Sequence, residues 1–316
     1  MYEPVPFWPK IPHGITFRGS ATSVAVDSRD RIHVFNRGNC PLLIFSAGGD
    51  LLDKWEDDGS FVRPHSITID EDDNIFLVDD GGHFIEKRSP EGEVLLTLGR
   101  RGDPAPWQSG DIFNRPTDVS IHPGTGDLFV SDGYGNSRVH RFSATGDHML
   151  SWGAPGADPG QFSLPHNIVV TEDDLVFVCD RENFRVQVFT VDGEFVEQWH
   201  HYRPVCIMST KVEGSLRLLV GEHSPHNIQK GVPNLGTCVK VLDSTGAEIT
   251  RFGGELPGHG HDQFMDPHSL AMDSSGDVYV AEVCNSWLLS FEGPPPLGEW
   301  PSLRKWRRMD QQGASA

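Results

Sequence analysis

An all-β propeller, a closed ring of six blades with four antiparallel strands each, is the fold this sequence predicts, and three observations carry that prediction. Composition is the first: 34 glycines and 23 prolines in 316 residues, with few long helix-like stretches, describe short strands joined by tight turns. The second is a repeat. Pro64, Pro116, Pro165, Pro204 and Pro267 recur at intervals of 52, 49, 39 and 63 residues, and each opens a Pro-x-x-aliphatic strand. The third is the pattern inside each unit, where an Asp/Gly turn leads to an apolar strand ending near Asp, as in Ile75-Phe-Leu-Val-Asp79 and Val176-Phe-Val-Cys-Asp180. A third strand follows, such as Arg185-Val-Gln-Val-Phe189, then a glycine turn and a fourth strand carrying Trp55, Trp152, Trp199 or Phe252.

Counted from about Gly19, the units number six, and the widest interval places an insertion in the fifth, from His223 to Gly236. Residues 1–13 read as an extension and 14–292 as the propeller. Residues 14–18 resemble 248–252, which predicts that they supply the outer strand of the sixth blade and close the ring, so that no open edge remains. Residues 293–316, with Arg304-Lys-Trp-Arg-Arg308, are expected to form a tail on the outside.

Chemistry enters at the residue after the repeated proline. Successive units place Thr22, His65, Thr117, His166, Val205 and His268 there. Proline fixes the approach of the chain, so the next side chain is aimed alike in every blade. In a six-membered ring, alternate blades are a third of a turn apart, and three imidazoles then converge on the axis. Because threonine and valine fill the same place elsewhere, blade packing does not demand histidine. Three neutral imidazoles with an open coordination position suit zinc, and imidazole also suits other divalent transition metals. Just past the second strand stand Arg37 in unit one and Arg181 in unit four, which face each other across the ring, and Tyr134 follows Gly133 in unit three. Together with a metal they describe a pocket for a small anion.

A formal charge of −19 opposes a phosphate backbone, so nucleic acid is not an expected partner. No stretch approaches the ~18 apolar residues of a membrane span, and the five cysteines show no CxxC spacing; a soluble cytoplasmic protein with reduced thiols is expected.

At these residues the chain resembles the peptidyl-α-hydroxyglycine α-amidating lyases, six-bladed propellers of the NHL-repeat class. The stretches that carry the resemblance are Phe35-Asn-Arg-Gly38, Arg115-Pro-Thr-Asp-Val-Ser120, Leu128-Phe-Val-Ser-Asp-Gly-Tyr-Gly-Asn-Ser-Arg138 and Gly160-Gln-Phe-Ser-Leu-Pro-His166. The resemblance implies a catalytic zinc on His65, His166 and His268, a catalytic Tyr134, and active-site arginines at Arg37 and Arg181. It implies cleavage of the C–N bond of an N-acyl α-hydroxyglycine-like carbinolamide to an amide and glyoxylate; Tyr134 as phenolate or a metal-bound hydroxide is the expected base, with Arg37 or Arg181 holding the carboxylate. Departures are informative. Gly135, Phe177 and Val188 replace half-cystines of secreted members, in keeping with a reducing compartment. Ser269 replaces the aspartate that binds a structural calcium, which argues against that ion here. The competing readings are a related metallo-lyase or hydrolase acting on another small anionic substrate, and a non-catalytic NHL scaffold that binds protein. A calcium lactonase fits less well, since calcium wants oxygen ligands and the axis offers nitrogen.

Overall fold

The computed structural model describes residues 1–225, 229, 231–284 and 301–309. Six four-stranded antiparallel sheets, one per repeat, form the ring. Their inner strands are Ala21–Val26, Pro64–Ile69, Asp118–Ile121, Pro165–Val170, Pro204–Val212 and Pro267–Met272. The aromatics expected on fourth strands lie there, on Leu51–Trp55, His148–Trp152, Phe195–His200 and Glu248–Phe252. The predicted insertion separates Ser215–Glu222 from Val239–Leu242 in blade five.

Burial explains why near-continuous apolar strands form propeller blades and not a sandwich. Each blade is covered on both faces by its neighbours, so alternate residues of one strand enter two different cores. Ile75 and Leu77 pack toward blade one with Phe35 and Leu42, whereas Phe76 and Val78 pack toward blade three with Val119, Leu128 and Val130. Such an interface joins every adjacent pair of blades around the ring.

Closure differs from expectation in its residues. An N-terminal strand does close the ring, but it is Tyr2–Pro4, paired with Leu303–Arg308, and blade six runs Pro267–Met272, Val278–Glu282, Leu303–Arg308, Tyr2–Pro4. Residues 14–18 form no strand: Gly14 and Arg18 have φ of 89° and 49°, and the segment instead buries Phe17. The basic segment expected on the outside is likewise built in. Leu303 and Trp306 are buried in the cores on the two faces of the blade, Arg304 pairs with Glu282, and Lys305 lies 3.0 Å from Asp277. The physical reason is that an extended segment with apolar residues on both faces completes a blade, whereas a local resemblance in composition does not. Of the predicted tail, residues 293–300 and 310–316 lie outside the described residues, as do 285–292.

Trp8 locks the closure. Its ring packs 4.9 Å from Tyr279 and its Nε1 donates to the Ala47 carbonyl at 3.1 Å, joining blades six and one. Trp8→Ala is expected to cost about 3–5 kcal/mol, read as a lower urea midpoint; an unchanged midpoint would show that the closure does not depend on it.

Candidate metal centre

The repeated proline is the first residue of the inner strand, opposite the last residue of the second: Pro64 faces Asp79, Pro165 faces Asp180 and Pro267 faces Glu282. Immediately afterwards the register slips by one residue, in blades one, two, four, five and six alike. The residue after proline therefore lies in a β-bulge, free of the ladder, and the bulge turns its side chain toward the axis. The acidic residue at the end of the second strand fixes this entry. Asp79 accepts from the backbone N–H groups of Arg63 and Gly82, and Glu282 from that of Asp266, tying the incoming loop to the loop between second and third strands.

The structure brings His65, His166 and His268 together. Their candidate ligand atoms lie within 4.8 Å of one another, their ring centroids are 4.7–4.9 Å apart, and all three side chains are buried. The intervening Thr/Val positions have a use that the sequence did not disclose. His65 Nδ1 bonds to the carbonyl of Thr117, His166 Nδ1 to that of Val205 at 2.7 Å, and His268 Nδ1 to that of Thr22 at 2.7 Å. A carbonyl can only accept, so each Nδ1 carries the proton and each Nε2 keeps its lone pair. Burial, reinforced by neighbouring imidazoles and by Arg37 and Arg181, holds His65 and His166 well below the usual histidine range, and burial followed by Arg37 pulls His268 down to about 3. Three neutral nitrogen donors with aligned lone pairs fit a divalent transition metal.

Tyr134 lies beside this cluster, its hydroxyl 3.1 Å from His65 Nε2 and 3.3 Å from His166 Nε2. Its neighbours put it there. A Cβ on Gly133 would stand 2.0 Å from the Pro165 carbonyl oxygen and one on Gly135 2.1 Å from Asn114 Oδ1, so only glycine permits this path. Arg37 donates from Nε to the Pro64 carbonyl at 3.0 Å, while its Nη2 is sealed from solvent without a partner. Arg181 is committed to Glu182 at 2.8 Å, a carboxylate it shares with Arg203 at 3.0 Å. The opposed arginines are thus unequal.

Several residues at this mouth escaped the sequence reading. Arg63 and Arg115 lie over the Tyr134 ring, 5.6 and 4.6 Å from its centroid, and both bind Oδ2 of the buried Asp80. The available signal was the dipeptide Arg-Pro at Arg63, Arg115 and Arg203, at the start of three inner strands. Away from the axis, His33 and His122 bond to Asp27 and Asp174. His223, at the start of the insertion, is buried 3.2 Å from Asp266; His226 lies outside the described residues.

Ser269, at the position where calcium was discounted, hydrogen-bonds to Ser23 Oγ at 2.9 Å. A cavity of about 680 Å³ opens beneath the histidines toward the far mouth, with Asp118 in its wall. Burial pushes the Asp118 carboxyl up to about 7, with Ser66 and the backbone N–H of Ile168 opposing. Its folded-state value exceeds the unfolded one near ~3.9. The fold is therefore favoured below about pH 4 and loses that contribution as pH rises through 7. Asp118→Asn is expected to gain stability over the parent between pH 5 and 8, measured by urea midpoints; a pH-independent difference would contradict the assignment.

Sequence comparison agrees with this geometry. The NHL repeat family matches residues 113–142, 162–189 and 264–291. Peptidyl-glycine alpha-amidating monooxygenase B of Xenopus laevis is 29% identical over 94% of this chain and 36% of its own length. Peptidyl-alpha-hydroxyglycine alpha-amidating lyase 1 of Drosophila melanogaster is 32% identical over 71% of the chain and 43% of its own length. The chain thus spans less than half of either relative. Among solved structures, virginiamycin B lyase from Staphylococcus aureus superposes with a TM-score of 0.61 at 11% identity, covering 92% of this chain and 96% of that one, a likeness of fold alone. With its NHL repeats, its six blades and its lyase-named relatives, the chain belongs to the amidating-lyase-like family of NHL propellers.

Proposed function

We propose that this protein is a zinc-dependent carbon–nitrogen lyase that splits an N-acyl α-hydroxyglycine-like carbinolamide into an amide and glyoxylate. The observation that carries the reading is the Tyr134 hydroxyl within 3.3 Å of two Nε2 atoms in a buried triad of neutral histidines. His65, His166 and His268 would hold the cation, which when bound supplies Lewis acidity toward the substrate oxygen. Tyr134, as its phenolate, takes the proton from the carbinol hydroxyl and returns it to the departing nitrogen. The carbon–oxygen bond becomes a carbonyl, the carbon–nitrogen bond breaks, and the amide nitrogen leaves with the electron pair and a proton. Arg37 receives the substrate carboxylate, which supplies the partner its Nη2 lacks. Arg181, held by Glu182, stands on the opposite side and offsets the negative charge that develops. Five buried cysteines, all free, support placement in a reducing compartment such as the cytoplasm, and no helix among the described residues is long and apolar enough to cross a membrane.

Elemental analysis joined to a glyoxylate assay tests the proposal. Purified protein is expected to carry stoichiometric zinc and to release glyoxylate from α-hydroxyhippurate or ureidoglycolate; chelation should abolish the activity and zinc restore it. Cleavage of esters or lactones alone would point to a hydrolase on the same site. Absence of both metal and turnover would favour a protein-binding scaffold.

A further inference from the structure

We propose that the mouth of this site contains a second anion subsite, formed by Arg63 and Arg115, which selects substrates whose acyl group carries a carboxylate of its own. The inference rests on the lyase reading for the identity of the substrate and on separate observations for the subsite. Two guanidiniums, those of Arg63 and Arg115, lie over the Tyr134 ring and a third, that of Arg37, is near enough to feel its charge, against one bridging carboxylate, Asp80. The inner position, Arg37, accounts for the carboxylate next to the reacting carbon. Arg63 and Arg115 belong to a different layer: their side chains are 39% and 36% exposed, whereas Asp80 beneath them is fully buried.

Asp80 also dictates how the pair is presented. Arg63 Nη1 at 2.6 Å and Arg115 Nη2 at 2.8 Å converge on the same oxygen, Oδ2, so the two planar groups are fixed side by side. Stacking on the Tyr134 ring restrains them further. Each guanidinium has five N–H donors, and one contact to Asp80 leaves most of them open toward the mouth. Two fixed forks with one unit of positive charge in excess match a carboxylate, and pre-organisation lowers the entropy lost on binding. The body of the protein carries a formal charge of −19 and repels dianions at long range, so such a substrate needs a local cationic pair at the entrance.

Steady-state kinetics with N-glutaryl α-hydroxyglycine and its size-matched terminal amide reads the subsite directly. The glutaryl substrate is expected to be favoured by about 10- to 100-fold in kcat/KM, mainly through KM, with the preference shrinking as salt is raised. Arg115→Gln should reduce the preference and Arg63→Gln/Arg115→Gln should erase it, while Arg115→Lys recovers part of it. Were the pair to act only by positioning Tyr134, both substrates would lose kcat equally and the ratio would stand, which overturns the proposal. Calorimetry with glutaramate against glutaramide supplies a readout independent of turnover. If neither substrate yields glyoxylate, the lyase reading fails, and tighter binding of glutaramate that disappears in the double variant still establishes the subsite; equal binding of the two compounds removes it.

Discussion

A chain carrying His166→Ala is expected to lose its bound metal and to release glyoxylate at least about 100-fold more slowly than the parent. The reason is geometric. His166 is one of the three nitrogen donors that form the buried cluster among the described residues, and two neutral imidazoles leave a cation without a chelating cage. The structural cost should be modest. Alanine fits this position as readily as the threonine and valine of blades one, three and five, and the Val205 carbonyl loses one hydrogen bond, about 1–3 kcal/mol. The measurements are metal content by elemental analysis, glyoxylate release, and the urea midpoint as a control for folding. Full metal content and unchanged turnover in a folded His166→Ala protein would remove the basis of the proposed chemistry. A parallel result is expected for His65→Ala, because the two side chains are equivalent by the repeat.

Tyr134→Phe is expected to separate chemistry from binding. Among the described residues the hydroxyl hydrogen-bonds to the two histidine Nε2 atoms, whereas the ring is held independently by the path of the flanking glycines and by the arginines that lie over it. Phenylalanine should therefore keep the packing, the metal and a similar KM, while kcat falls by about 10²- to 10⁴-fold, the usual worth of a positioned proton acceptor. A variant that retains full kcat would mean that another group takes the proton. One that loses metal would mean that the hydroxyl supports the cation site and not the reaction.

Asp80 shows why part of the site could not be read in advance. In sequence it is one aspartate after another, and its neighbours Arg63 and Arg115 lie 17 and 35 residues away on different loops. Nothing local signals that two guanidiniums will converge on one carboxylate oxygen above a phenol contributed by a third segment. The Arg-Pro dipeptides marked where these arginines enter the mouth, yet the third of them, Arg203, serves a different cluster with Glu182. The burial of His223 beside Asp266 is likewise a long-range contact that no local pattern signals.

The repeat alone determined the ring, the number of blades and the three axial histidines, because equivalent positions in equivalent units must occupy equivalent places around an axis. Tyr134, Arg37 and Arg181 were singled out by the same logic, each by its offset from the end of a second strand. Tertiary structure decided the rest. Closure fell to Tyr2–Pro4 and Leu303–Arg308 and not to residues 14–18, since pairing between chain ends is a long-range choice settled by which segment buries both faces of a blade. The carbonyls of Thr22, Thr117 and Val205 became the partners of the histidines because each belongs to the next blade, and an interaction between blades is written in the packing of two repeats and in neither repeat by itself.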